Sequence, residues 1–154
     1  TWNNKHWNKD NWRELISKID INKYNLIFAG TKKDIELIEY IRCKRGINLA
    51  GKTNLKELIE LFKKGDILIS LDSGSTHLAW ATGKPSIISI FTSTPKARYA
   101  PIGTKHIPLQ GDLKCQPCHK KKCPLNTDKC TNYPSSEEVF DALKEIERNL
   151  WKQE

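Results

Sequence analysis

Helical and extended hydrophobic patterns take turns along this chain of 154 residues, and that alternation constrains the fold more than any other feature. Residues 24–29 are a short apolar run that suits a buried strand, 66–71 is a β-rich run, and 86–91 reads as a further strand. Amphipathic stripes lie between them. Trp12, Leu15, Ile16 and Ile19 predict a helix over 10–19 capped by Asp10, and Ile35, Ile38 and Ile41 predict one over 32–44. Leu55, Leu58, Ile59 and Phe62 predict a third, capped by Thr53 and ended by Gly65. The Asp-Ser-Gly turn is expected to lead into a short helix ending at Gly83, and Pro85 opens the strand at 86–91. Brief strands are expected at 47–49 and 105–109, with 92–134 otherwise irregular. A last helix over 135–151 starts with the capping-box spacing of Ser135 and Glu138 and turns Val139, Leu143, Ile146 and Leu150 inward. Such alternation implies an α/β fold, a parallel sheet with helices on both faces. Sheets of this kind bind ligands beyond the carboxyl ends of their strands, here the loops after Ala29, Leu71 and Phe91.

The length suits one domain, 1–154, with a real core. No apolar run approaches the roughly 18 residues that span a bilayer, and no signal peptide opens the chain. The chain begins at Thr1 and contains no Met, so we read it as part of something longer. A formal charge of +8 suits an anionic partner: nucleic acid, a membrane surface or a phosphorylated ligand. A Lys-rich proteome would give the same balance.

The segment Asp72-Ser73-Gly74-Ser75-Thr76-His77 joins a predicted strand to a predicted helix. A helix N-terminus presents unpaired N–H groups and partial positive charge, so an anion such as a diphosphate is well placed there. Gly74 lets a ligand approach the backbone, Asp72 can accept from sugar hydroxyls, and His77 can donate to a phosphate. A plain Asp-Ser-Gly turn with a surface His is the competing reading.

In series, Asn48 to Thr53, Leu58, Asp66 to Leu71, Asp72-Ser73-Gly74, His77-Leu78-Ala79, Ala81, Pro85 and Phe91 resemble the carboxyl-terminal domain of glycosyltransferase family 9, the lipopolysaccharide heptosyltransferases. The resemblance covers nearly the whole chain. It implies a Rossmann-like sheet forming the carboxyl-terminal half of a two-lobed GT-B glycosyltransferase that acts in lipopolysaccharide core synthesis. This lobe would bind the nucleotide-diphosphate sugar, ADP-heptose. An amino-terminal lobe, absent here, would bind the lipid A–core acceptor and supply the catalytic Asp base, so no catalytic residue is expected in this chain. Carried over by position, Asp72 resembles the donor-sugar ligand, Ser73 and Gly74 the diphosphate-facing turn, and His77 its partner. Thr1 and Lys5 resemble a phosphate-contacting loop that ends in a Trp, here Trp7, and Gly30 opens a donor-side loop. With Lys5 and the helix N-terminus facing the diphosphate, catalysis needs no cofactor. The chain departs from the family at Ala50, at Thr31-Lys32-Lys33 where a Glu is usual, and at Thr92-Ser93-Thr94-Pro95 where Gly-Pro-Thr is usual.

Four of the five cysteines, Cys115, Cys118, Cys123 and Cys130, fall in one irregular stretch, a Cys-rich loop at 112–131. Their spacing resembles a zinc knuckle with Cys123 in place of a His. It suits a structural Zn²⁺ or disulfides, and both readings stand. Similar Cys-rich loops occur in many family members. Cys43 falls on a helical pattern and is expected in the core. A competing function is a basic nucleic-acid-binding module, motivated by the charge, the Cys cluster and five Trp residues. Against it, Trp2, Trp7, Trp12, Trp80 and Trp151 do not interleave with Lys120-Lys121-Lys122, and Trp12 and Trp80 sit in helical patterns suited to a core. We therefore expect no nucleic-acid partner. The Lys run reads as a solvated face, or else as a surface for anionic headgroups, which would suit a cytoplasmic protein peripheral at the inner face of the inner membrane.

Overall fold

The structure is a computed structural model, and it describes residues 3–103 and 105–150. Thr1, Trp2, Thr104 and Trp151 lie outside the described residues, so the expectation for Thr1 is not met with a geometry.

Every strand pairing is parallel. β1 (Ile27–Phe28) pairs with β2 (Ile47–Asn48), and β3 (Ile67–Leu71) pairs with β4 (Ser86–Phe91), which pairs in turn with β5 (His106–Gln110). The hydrogen bonds thus form a two-stranded and a three-stranded group. β4 is the central strand, and all its residues are buried. Its sequence, Ser-Ile-Ile-Ser-Ile-Phe, is the near-continuous apolar run expected of a strand covered on both faces. β5 carries Pro108, which cannot donate to a ladder and is tolerated because β5 pairs on one side only.

The helices are α1 (Lys9–Lys18), α2 (Ile35–Arg42), α3 (Leu55–Lys64), α4 (Gly74–Thr82), the short α5 (Lys96–Tyr99) and α6 (Ser136–Leu150). Strand alternation sorts them. Ile88 and Ile90 point to one face, where they pack with Leu15, Ile16 and Ile19 at α1 and with Val139, Leu143 and Ile146 of α6. Ile87 points to the other face and packs with Phe62 of α3 and Ala79 of α4. Ile38 and Ile41 of α2 close over Phe28 and Ala50 beside the smaller strand pair. Helices therefore cover both faces, as expected.

Several local expectations are corrected. Asn8, not Asp10, caps α1, its side chain accepting from the backbone N–H of Asp10. Asn54, not Thr53, caps α3 in a reciprocal box with Glu57. Ile35, Leu55 and Trp80 are exposed rather than core, because each lies at the rim of its helical stripe. Cys43 is not core either: it ends α2 in the left-handed region, φ 51°. α4 ends at Gly83, whose φ of 68° is one that glycine adopts without a Cβ penalty. α6 starts at Ser136 with the Ser135–Glu138 capping bonds in place, and Leu150 is only partly buried. Within 92–134, α5 and a 3-10 turn at Lys129–Asn132 supply regular structure beside β5.

Candidate functional site

The carboxyl ends of β3 and β4 meet the chain's amino-terminal segment. Asp72 follows β3, and its backbone N–H donates to the carbonyl of Ile90 at 3.2 Å. Its side chain is largely shielded, at 10% exposure, and its Oδ2 takes two bonds: Lys5 Nζ at 2.7 Å and the Thr94 hydroxyl at 2.7 Å. Lys5 and Asp72, 67 positions apart in sequence, thus form a half-shielded ion pair at the mouth of the strand-to-helix turn. Next in the chain, Ser73 caps α4 with extended backbone and makes no side-chain cap bond, and no acidic residue lies in the first turn of α4. A Cβ placed on Gly74 would meet nothing within 4 Å, so the turn faces open space. Thr76 is buried beneath it and holds the turn's shape: its hydroxyl donates to the carbonyl of Leu71 at 2.7 Å and lies 2.8 Å from Ser70 Oγ.

His77 is exposed one turn into α4. Gly30 stands apart, at the end of β1, where its carbonyl accepts from the Gly51 N–H at 2.9 Å. A Cβ on Gly30 would lie 3.0 Å from Asp34 Cβ, a close approach that explains the glycine locally. Among the expected donor-side residues, the structure joins Lys5 to Asp72, sets Ser73, Gly74 and His77 on the helix that follows, and leaves Gly30 on the neighbouring strand pair.

Sequence reasoning missed two residues of this cluster. Thr94 sits in the stretch that departs from the family pattern, and its carbonyl is held by Gln110 Nε2 at 2.6 Å. Asn4 is 1% exposed; its carbonyl accepts from the Thr92 hydroxyl at 2.6 Å, and its Nδ2 donates to the carbonyl of Lys120 at 2.7 Å. These partners lie about a hundred residues away in sequence, and no local pattern points to them.

The Cys-rich loop packs against the same end. The His119 N–H donates to the carbonyl of Ser93 at 2.7 Å, and Gln116 Nε2 donates to the carbonyl of Thr92 at 2.8 Å. Cys115, Cys118, Cys123 and Cys130 all line one small cavity with Asn4 and Ser93. All five cysteines are free thiols. Among the described residues, no three Cys, His, Asp or Glu side chains already stand as a closed metal-holding group. Burial pushes the Cys130 thiol up to about 11, helped by Cys118, Cys123, Asp128 and Cys115 nearby. Backbone N–H groups of Thr127, Asp128 and Leu125 hold Cys123 below the usual thiol range. Lys120, Lys121 and Lys122 are exposed on the outer side of this loop.

Beyond the turn, His106 opens β5. Its Nδ1 is 2.6 Å from the carbonyl of Pro101, which can only accept, so Nδ1 carries the proton and Nε2 accepts from the Ser89 hydroxyl at 2.6 Å. Burial lowers its pKa from 6.5, outweighing the Pro101 bond, and His77 lowers it further. The unfolded chain therefore binds more protons than the fold below neutrality. The stability this residue contributes is in place above about pH 6.5 and is lost as pH falls through the folded value. His106→Asn is expected to flatten the decline of the thermal midpoint below that pH, measured by calorimetry from pH 8 to 5. An unchanged slope would remove His106 as its source.

Parallel strands, helices on both faces and a charged strand-to-helix turn at the carboxyl edge define a Rossmann-like α/β domain. The sequence model of glycosyltransferase family 9 (heptosyltransferase) matches residues 1–128, and the chain belongs to that family. It is 30% identical over 152 residues to lipooligosaccharide heptosyltransferase 2 of Campylobacter jejuni, covering 94% of this chain and 47% of the relative. It is 33% identical over 102 residues to the lipopolysaccharide core heptosyltransferase OpsX of Haemophilus influenzae, covering 63% of this chain and 29% of that protein. Among solved structures, Escherichia coli ADP-heptose lps heptosyltransferase II superposes with a TM-score of 0.73 at 19% identity, over 92% of this chain and 42% of its own. Escherichia coli heptosyltransferase WaaC with ADP gives a TM-score of 0.73 at 18% identity, over 95% of this chain and 41% of its own. The chain thus spans about half the length of the curated C. jejuni relative, and its fold is that of one half of a GT-B heptosyltransferase. No helix among the described residues is long and apolar enough to cross a membrane.

Proposed function

We propose that this chain is the donor-binding half of a heptosyltransferase of lipopolysaccharide core synthesis, and that its donor is ADP-heptose. The observation that carries this reading is the Lys5–Asp72 ion pair at 2.7 Å beside the open turn at Gly74. An entering diphosphate competes with Asp72 for the Lys5 ammonium and takes up the unpaired N–H groups at the start of α4. Asp72, still held by Thr94, then accepts from sugar hydroxyls. When the bond from sugar to diphosphate breaks, charge grows on the leaving oxygen. A fixed ammonium and helix N-terminus stabilise it without reorganising, so the transfer step needs no metal. His77 supplies a further donor to the phosphates. The base that activates the acceptor hydroxyl belongs to the amino-terminal half, which also holds the lipid A–core acceptor. Lys120, Lys121 and Lys122 suit anionic headgroups, about 1 kcal/mol for each Lys near the surface, which supports a reading of the enzyme as peripheral at the cytoplasmic face of the inner membrane.

Calorimetric titration of the full-length protein with ADP, UDP and GDP tests the donor class. ADP is expected to bind, and Lys5→Ala to weaken that binding at least about tenfold, the loss of a charge-assisted contact of roughly 1.5–3 kcal/mol. Preference for UDP or GDP would overturn the donor assignment. Equal ADP affinity in Lys5→Ala would overturn the site.

A further inference from the structure

We infer that Cys115, Cys118, Cys123 and Cys130 hold a single structural zinc ion that fastens the Cys-rich loop to the carboxyl end of the sheet. The four thiols line one cavity of about 20 Å³. That is room for one ion or one water, and too little for an iron–sulfur cluster, the other usual tenant of four thiolates. Ser93, 1% exposed, also lines this cavity, and its Oγ has no hydrogen-bond partner among the described residues, so its hydroxyl is available to donate to a thiolate there.

The loop is also built to carry the charge of such a centre. Binding converts four thiols to thiolates, releases four protons to solvent and leaves the zinc tetrathiolate with two negative charges. Lys114, Lys120, Lys121, Lys122 and Lys129 lie in the same twenty residues and offset them. The Thr127 hydroxyl lies 3.9 Å from Cys123 Sγ. The thiols line the cavity without standing at ligand spacing, so binding draws them in to about 2.3 Å from the ion. Because Gln116 and His119 bond the carbonyls of Thr92 and Ser93, and Asn4 bonds Lys120, the ion would steady the segments that carry Lys5 and Thr94. The inference rests on the cavity and not on the donor reading, and its test uses no substrate.

Elemental analysis by mass spectrometry of protein purified without chelator is expected to find one zinc per chain and no comparable iron. Cobalt(II) loaded in its place is expected to give sulfur-to-metal charge-transfer bands. Cys115→Ser, Cys118→Ser, Cys123→Ser and Cys130→Ser should each lose most of the metal, and Cys43→Ser should keep it. Zinc-free protein that takes up no cobalt overturns the inference. So does iron in place of zinc, an intact mass four hydrogens short that marks two disulfides, or loss of the metal in Cys43→Ser. A serine variant that fails to fold is replaced by a measurement on the parent protein: a mercurial that blocks thiols should release one zinc per chain as the four loop thiols react, beside Cys43, and release of none overturns the inference equally.

Discussion

Asp72→Ala and Lys5→Ala in the full-length enzyme are each expected to lower kcat by about 10²–10³-fold, the usual cost of removing one preorganised group that meets developing charge. The two residues share one ion pair but, on the proposed reading, serve different atoms. Without Lys5, the leaving diphosphate loses its fixed cation. Without Asp72, the sugar would lose a ligand, and Lys5 would lose its ion pair with that carboxylate. Effects of residues that act as a unit do not add, so the double variant should fall little below the worse single one. The pair is largely shielded, 21% and 10% exposed, so each single variant leaves a shielded partner short of a bond, about 1–3 kcal/mol, and should lower the thermal midpoint by several degrees without unfolding the chain. Thr94→Val, which removes the hydroxyl that bonds Asp72 Oδ2, should cost less than either, since Lys5 still holds the carboxylate. Steady-state transfer from ADP-heptose to a core acceptor, read beside thermal unfolding, checks all four variants. Near-normal turnover in both Asp72→Ala and Lys5→Ala would remove this turn from the donor site.

How much of this was legible in the sequence depends on how local the cause is. The β3 and β4 runs and the α6 stripe are one-dimensional patterns whose period survives any tertiary context, and they fold where their periodicity places them. Cap positions are less local than they look. Asn8 and Asp10, like Thr53 and Asn54, are all competent caps, and the choice rests on which residue leaves the helix with extended backbone. Stripe width is invisible to periodicity, so Ile35, Leu55 and Trp80 could not be told from their buried neighbours. At the site, Asp72 was reached from the chemistry of its turn as well as from resemblance, Lys5 from resemblance alone, and the two meet in space. Asn4 and Thr94 were not reached at all. A buried Asn that bonds Thr92 and Lys120 has no sequence signature, because both partners are supplied by chain crossing the sheet edge.

That dependence on distant chain makes Trp7 the residue whose loss should cost most in stability. Trp7 is 3% exposed, meets Trp12 edge to face at 4.9 Å between ring centroids, and belongs to the cluster built on Ile88, Ile90 and α6. Its indole N–H donates to the carbonyl of Pro134 at 2.6 Å. One residue further, the Asn8 N–H donates to the carbonyl of Thr131 at 2.8 Å. The segment bearing Lys5 is therefore pinned on its carboxyl side to the chain entering α6. Trp7→Ala removes the packing and strands the Pro134 carbonyl, and about 3–5 kcal/mol of stability should go with it, measured by urea unfolding. Trp7→Phe keeps much of the apolar contact and loses the bond, so about 1–3 kcal/mol is expected, the cost of an unpaired buried acceptor. The pair of variants also separates anchoring from chemistry. Trp7 touches neither Asp72 nor the turn at Gly74 in any hydrogen bond, so any loss of turnover in folded Trp7→Phe must come through the position of Lys5. In that case Trp7→Phe should weaken ADP binding in the wild-type background and leave the residual binding of Lys5→Ala unchanged. A Trp7→Phe effect of equal size in both backgrounds would mean that the anchor acts on something other than Lys5.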